Sequence, residues 1–123
     1  MHGGSYRLAL AVRSKIWLVA GRDHAFGTGL ARLLRSIEES GTLRQAARAS
    51  DVSYRHAWNM IRKAESHLGR RLIIARPGGA GGGGTCLSEA GKQLLEVFTH
   101  LEHEVSAYAS ARFDNLMQTG EPG

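Results

Sequence analysis

The 123-residue sequence has a single cysteine and no long apolar run. Cys86 alone cannot form an internal disulfide and is too few thiolates for a zinc site, so reducing surroundings suit the chain. The longest apolar stretch, residues 8–19, is interrupted by Arg13 and Lys15. This interruption excludes a transmembrane span and argues against a secretion signal. We therefore expect a cytoplasmic protein without a membrane partner.

Acidic residues are scarce between Thr42 and Pro77. That segment contains eight basic and two acidic residues, a net charge of +6, whereas the rest of the chain nets −1. The 42% hydrophobic and 22% charged fractions are ordinary for a globular chain, and the length is that of one domain, residues 1–123, with residues 1–5 and 118–123 flexible. A contiguous basic segment is typical of a surface that neutralises a polyanion.

No group of residues in the sequence indicates catalysis. His100 and His103 are spaced to share a metal, but without a nearby cysteine or third histidine, solvated or dimer-flanking histidines are the favoured interpretation. The glycine-rich run 78–84 lacks the Lys-Ser/Thr pair of a nucleotide-binding loop, and Cys86 has no base indicated beside it. We expect no enzymatic activity, no metal and no cofactor.

The first half of the chain predicts a small β-hairpin followed by helices. Residues 15–19 are rich in β-formers, and the turn residues 21–23 precede Ala25 and Phe26. The apolar residues that follow have the spacing of one face of an amphipathic helix: Leu30, Leu33, Leu34 and Ile37. Gly41 is placed to end this helix, because glycine is free to take a positive φ.

The next two helices are predicted to form a helix-turn-helix. Thr42 and Gln45 have the spacing of a capping box, in which the hydroxyl takes an orphan N–H and the amide reaches back. A short helix over residues 43–49 follows, and residues 51–52 turn the chain. Ser53 then caps a third helix that runs to Leu68, with Gly69 placed to stop it.

The third helix is predicted to have a buried and a polar face. The buried stripe comprises Ala57, Ile61, Ala64 and Leu68. The opposite face is cationic and rich in hydrogen-bonding groups, and we predict that three residues there read bases: Tyr54, Arg55 and Asn59. An ordinary solvated helix face is the alternative, but the capped short helix and tight turn before it favour groove reading.

A β-hairpin wing is predicted after the third helix. Residues 72–76 have the pattern of a strand, residues 77–84 of a glycine-rich loop and residues 85–87 of a return strand. Glycines at the tip let backbone N–H groups approach a phosphodiester chain. The predicted phosphate contacts are Thr42, Arg44, Ser53, His56, Arg62, Lys63, Arg76, Gly79 and Gly82.

The last predicted helix begins after Ser88 and extends to about Met117. Its apolar residues repeat at 4-3-4-3 spacing: Leu94, Phe98, Leu101, Val105 and Tyr108. Packing on the chain's own core is one explanation of this stripe. However, a helix longer than about 25 residues, at ~1.5 Å each, would overhang a globule of this size. We therefore predict a homodimer that uses this stripe as its interface.

Three motifs resemble the N-terminal DNA-binding domain of ModE-type molybdate-responsive regulators: Ser53-Tyr-Arg-His-Ala-Trp58, the wing Arg76–Gly84, and Leu87-Ser-Glu-Ala-Gly91. The chain is more distantly similar to the LysR-type winged helix-turn-helix. The resemblance covers residues 15–117 and implies an α-helical winged helix-turn-helix that dimerises through its terminal helices on a palindromic operator. Molybdate-binding domains follow in that family. This sequence ends at Gly123, so we expect no molybdate binding by this chain.

These features predict a mainly α fold: a winged helix-turn-helix with a small N-terminal β-hairpin and a long C-terminal dimerisation helix. The predicted function is sequence-specific binding of double-stranded DNA by a homodimeric transcriptional regulator. Helix 53–68 would enter the major groove, and wing 77–84 would follow the backbone. The alternative is a protein-interaction or sensory subunit that keeps the fold for dimerisation and binds DNA weakly or without sequence preference.

Overall fold

The computed structural model describes residues 9–79 and 82–119. Of the termini expected to be flexible, residues 1–5 and 120–123 lie outside this part, whereas Gln118 and Thr119 are helical. The elements follow in the order β1 (Leu18–Ala20), β2 (Asp23–Phe26), α1 (Thr28–Ser40), α2 (Leu43–Ala49), α3 (Tyr54–Leu68), β3 (Ile73–Gly79), β4 (Gly82–Leu87) and α4 (Glu89–Thr119). This order confirms the predicted winged helix-turn-helix with an N-terminal hairpin and a long last helix.

The chain divides into two compact units. One unit, Ile16–His100, contains β1 to β4, α1 to α3 and the first part of α4. The other comprises Met1–Lys15 and Leu101–Gly123, and its described residues are 9–15 and 101–119. All the predicted DNA-contacting residues belong to the first unit.

The hydrophobic core of the Ile16–His100 unit joins all four helices. Phe26 of β2 and Phe98 of α4 are fully buried and meet edge to face, with ring centroids 5.1 Å apart. Helices α1, α2 and α3 add aliphatic side chains at their predicted apolar positions, including Leu33, Leu34, Ile37, Ala46, Ala57 and Ile61. Their burial is the main force that holds the helix-turn-helix together.

The predicted ends of α1 and α3 are confirmed. Gly41 and Gly69 follow α1 and α3 with φ of 82° and 68°, the left-handed geometry that favours glycine. The Oγ of Thr42 accepts from the Gln45 N–H at 3.1 Å. The second half of the predicted capping box is wrong, however. The Gln45 side chain accepts from the Thr42 hydroxyl at 3.1 Å, and the Thr42 N–H faces the Oγ of Ser40 at 3.5 Å.

Both hairpins differ in extent from the prediction. Strand β1 begins at Leu18, not Lys15. In the wing, β3 continues to Gly79 and β4 begins at Gly82, so most of the predicted loop 77–84 lies in paired strands. The pairing is irregular between Arg76 and Gly79, where the register shifts. The glycine run therefore does not by itself end the strands, because the backbone groups of glycine can still pair with the opposite strand.

The start of α4 packs directly on the backbone before the wing. The Ser88 N–H donates to the carbonyl of Leu72 at 2.9 Å, and a Cβ placed on Gly91 would overlap the same carbonyl oxygen. We expect Gly91→Ala to lower the free energy of unfolding by about 1–3 kcal/mol through overpacking. This loss should exceed the gain of up to ~1 kcal/mol in helix propensity.

Gly29→Ala in α1 is the matched control for this prediction. A Cβ there would meet the Cε of Met60 at 3.6 Å, an ordinary contact, so the propensity gain should raise stability. Urea unfolding followed by circular dichroism measures both variants. If both variants change the free energy of unfolding equally, the close approach of α4 to Leu72 does not exclude a side chain at position 91.

Candidate nucleic-acid interface

Helix α3 has two chemically different faces. The predicted buried stripe is confirmed at Ala57, Ile61 and Ala64, while Leu68 at the end of the helix is partly buried against the core. The opposite face is exposed and polar and includes Arg55, Asn59, Arg62 and Lys63. Because the apolar face fixes the helix to the core, the polar face is held towards solvent, where a nucleic acid can reach it.

The turn before α3 fixes the leading end of the helix. Asp51 takes a left-handed φ of 59°, and the Val52 N–H donates to the Ala47 carbonyl at 3.0 Å. The Oγ of Ser53 then accepts from the His56 N–H at 3.0 Å, as its predicted capping role requires. The exposed side chains of Ser53 and His56 therefore lie together at the N-terminal end of the helix.

Helix α2 brings Arg44 next to this end of α3. The Cζ of Arg44 lies 4.4 Å from the centroid of the Tyr54 ring. Thr42, predicted to contact phosphate, already uses its hydroxyl as a donor to Gln45. Because phosphate oxygens only accept, a contact from Thr42 would require that donor to leave Gln45.

Aromatic and arginine side chains contact one another along one side of α3. The Tyr54 and Trp58 rings meet edge to face at 6.4 Å, and the Cζ of Arg62 lies 5.3 Å from the Trp58 centroid. This arrangement was not predicted from the sequence. Its signal was the four-residue spacing of Tyr54, Trp58 and Arg62, which places them along one side of a helix.

The wing joins the helix-turn-helix at Gly41. The Thr85 N–H donates to the Gly41 carbonyl at 2.8 Å, and the Arg76 guanidinium lies against both Gly41 and Gly84. A Cβ on Gly84 would overlap the Gly41 carbonyl oxygen, so glycine permits this close approach. Arg76 is thereby held beside the start of α2. Gly79 and Gly82 are paired across the strands, and residues 80–81 of the predicted loop lie outside the described part of the chain.

The basic surface is exposed and mostly unneutralised. All eight basic side chains of residues 42–77 are exposed. Arg71 lies 3.6 Å from Glu65, and within residues 9–79 and 82–119 the other seven have no acidic partner within ion-pair distance. Glu65 also accepts from the Leu72 N–H at 2.7 Å, so this carboxylate is used to anchor the wing. The positive charge therefore remains available to a polyanion.

The predicted dimer stripe divides between two environments. Phe98 is fully buried in the core of its own chain, and Leu94 is partly buried against that core. The prediction that Phe98 lies at the dimer interface is therefore wrong. Phe98 is a core residue, because its buried side chain has no surface left for contact with a second copy. Leu101 is 40% exposed and Tyr108 70% exposed, while Val105 is half-buried. These three residues belong to the other unit.

The part of the chain that the structure describes contains no cluster of three or more histidine, cysteine or acidic side chains able to hold a metal ion. No helix in that part is long and apolar enough to cross a bilayer. His100 and His103 are both exposed on α4.

Similar proteins place these elements in a known family. The profile described as a bacterial regulatory helix-turn-helix protein of the LysR family matches residues 29–92, from α1 to the first turn of α4. A transcriptional regulator ModE of Haemophilus influenzae is 37% identical over 71 residues, which cover 58% of this chain and 28% of that protein. A molybdenum transport protein ModE of Azotobacter vinelandii is 34% identical over 86 residues, covering 67% of this chain and 32% of that protein.

A DNA-binding transcriptional dual regulator ModE of Escherichia coli K12 is 34% identical over 67 residues, which cover 54% of this chain and 25% of that protein. The chain thus spans less than a third of the length of these curated relatives. The profile match includes more than half of the 123 residues and every element of the helix-turn-helix and wing. The chain therefore belongs to the LysR family of bacterial regulatory helix-turn-helix proteins.

Proposed function

We propose that this chain is a sequence-specific DNA-binding transcriptional regulator that acts as a homodimer on a palindromic operator. The observation that supports it most is the capped helix α3, whose exposed polar face lies within a basic surface almost free of acidic partners. In this proposal α3 enters the major groove with its N-terminal residues towards the base edges. The protein works by binding, without a catalytic step.

Arg55 and Asn59 are the proposed base readers. Both are exposed on the outer face of α3, within its first two turns. Arginine can donate two hydrogen bonds to guanine O6 and N7, and asparagine can pair with adenine N6 and N7. Tyr54 is also predicted as a base reader, but its ring already contacts the Arg44 guanidinium.

Phosphate contacts are proposed around these readers. The helix contributes Arg62 and Lys63 from later turns, Ser53 and His56 come from its start, and Arg44 comes from α2. On the wing side, Arg76 is held against two glycines, and Gly79 and Gly82 pair with each other across β3 and β4. Such contacts position the protein on the duplex without reading sequence.

The homodimer is proposed on the distal part of α4. Large apolar side chains of this part remain exposed in the single chain, namely Leu101, Tyr108 and Met117. A second copy is the partner that a palindromic operator requires, because protein two-fold symmetry matches DNA two-fold symmetry. The acidic excess of residues 88–119, five acidic against two basic, also suits a segment that lies away from DNA.

Selection of bound duplexes from a random DNA pool tests this function. We expect enrichment of a palindrome whose half-sites are centred about 34 Å, or one helical turn, apart. A pool that stays random while the protein binds all DNA with equal, strongly salt-dependent affinity would contradict the proposal. That outcome would instead favour an interaction subunit that keeps the fold and binds DNA only through its charge.

A further inference from the structure

Four side chains are in sequential contact where α2 approaches α3, one from α2 and three from α3. Arg44 lies over the Tyr54 ring at 4.4 Å, Tyr54 meets Trp58 edge to face, and Arg62 lies over the Trp58 ring at 5.3 Å. The two arginines thus occupy the ends of an aromatic pair. Both distances are within the ~6 Å at which a guanidinium is attracted by an aromatic face.

The aromatic pair is fixed at its inner end and open at its outer end. Trp58 is half-buried and packs against the hydrophobic core, so its ring cannot turn freely. Tyr54 is 40% exposed, and it meets Arg44 across the turn between α2 and α3. The pair therefore links the two helices of the helix-turn-helix at the surface.

Contact with an aromatic ring would restrict the rotamer freedom of each arginine without occupying the N–H donors of its guanidinium. Within the described part of the chain, Arg44 and Arg62 have no acidic partner within ion-pair distance, so their N–H groups remain available for a phosphate. An unsupported arginine loses rotamer freedom when it binds DNA, whereas a guanidinium already stacked loses less.

We infer that Tyr54 and Trp58 are positioning residues that hold Arg44 and Arg62 ready for the DNA backbone. Tyr54 acts through its ring and not by reading a base through its hydroxyl. This inference rests on the proposed function, since it concerns how the same surface meets DNA. It assigns to Tyr54 a sequence-independent share of the affinity, in contrast to the base reading predicted from the sequence.

Substitutions at Tyr54 separate the ring from the hydroxyl. Affinity for the selected operator and for a scrambled duplex is measured by fluorescence anisotropy at one fixed salt concentration. We expect Tyr54→Phe to stay within about twofold of the unchanged protein, since the stacking face is kept. Tyr54→Leu should weaken binding to both duplexes by about two- to fivefold, the fold-change that corresponds to losing an exposed cation–π contact.

Substitutions at Arg44 test whether the ring acts through the guanidinium. Arg44→Lys keeps the charge but not the planar stack, so it should lose about as much affinity as Tyr54→Leu. Arg48→Lys is the matched control on the same helix, because no aromatic contact of Arg48 is present in the described residues, and it should bind normally. In an Arg44→Ala background, Tyr54→Leu should cause no further loss.

The possible results are distinguishable. Circular dichroism first establishes that each variant keeps its helices. Two results would overturn the inference in a protein that still discriminates the operator. One is that Tyr54→Phe loses as much affinity as Tyr54→Leu. The other is that the losses from Tyr54→Leu and Arg44→Ala are additive. If the unchanged protein fails to discriminate the operator from the scrambled duplex, the proposed function fails and the positioning role falls with it.

Discussion

Replacing Leu101 with glutamate is expected to convert the proposed homodimer into monomers and to weaken operator binding by about 100-fold or more. Leu101 is 40% exposed in the single chain, so the substitution leaves the monomer core intact. In the proposed dimer the same residue faces a second copy, where a buried carboxylate without a partner is costly. Monomers would then engage each half-site separately and lose the gain of linked binding, which is of order 10²–10⁴.

Light scattering and operator titration together measure this effect, and Val105→Glu should behave in the same way. Ser106→Glu is the matched control, since it adds the same charge to an exposed position beside the stripe and should leave a dimer. If the unchanged protein is a monomer at micromolar concentration and still protects a full palindrome, the dimer is wrong.

Features that depend on local sequence were predicted well. The end of α1 at Gly41, the cap of α3 at Ser53 and its stop at Gly69 each depend on one residue and its nearest neighbours. Such signals are readable because capping bonds span only three or four residues. The faces of α3 follow from the same short-range periodicity.

Features that depend on tertiary contact were not predictable in the same way. The apolar repeat of α4 gives no indication of whether its own core or a second chain covers it, and the structure buries Phe98 in the core. Glu65 anchors the wing by accepting a hydrogen bond from the Leu72 N–H, seven residues later in the chain, and no sequence motif indicates this contact. The contact of Arg76 with Gly41 and Gly84 forms only when the end of α1, strand β3 and strand β4 come together.

The roles of the exposed residues on α3 are the least determined by the fold. A polar surface helix and a recognition helix have the same periodicity, and burial distinguishes only their common inner face. What separates the two is the use of the outer face, which a substitution can test directly. Arg55 and Asn59 are suitable because both are exposed, so alanine at either position removes no core packing.

Arg55→Ala and Asn59→Ala are each expected to cost about 1–3 kcal/mol of binding free energy on the selected operator, roughly 5- to 150-fold in affinity. Each should also relax the preference at one or two base pairs, because a bidentate contact reads a single base. Affinity for scrambled DNA should change much less. Titration of the operator, its single-base variants and a scrambled duplex over a range of salt concentrations measures all three effects.

Arg62→Ala provides the contrast for these base readers, because a phosphate contact is independent of sequence. It should weaken binding to every duplex by a similar factor and reduce the slope of log affinity against log salt by about 1. Arg55→Ala, in contrast, should alter the ratio between operator and scrambled DNA. Equal losses on the two duplexes for Arg55→Ala would place its guanidinium on the phosphate backbone, and the sequence preference would then have to come from other residues of α3 or from the shape of the DNA.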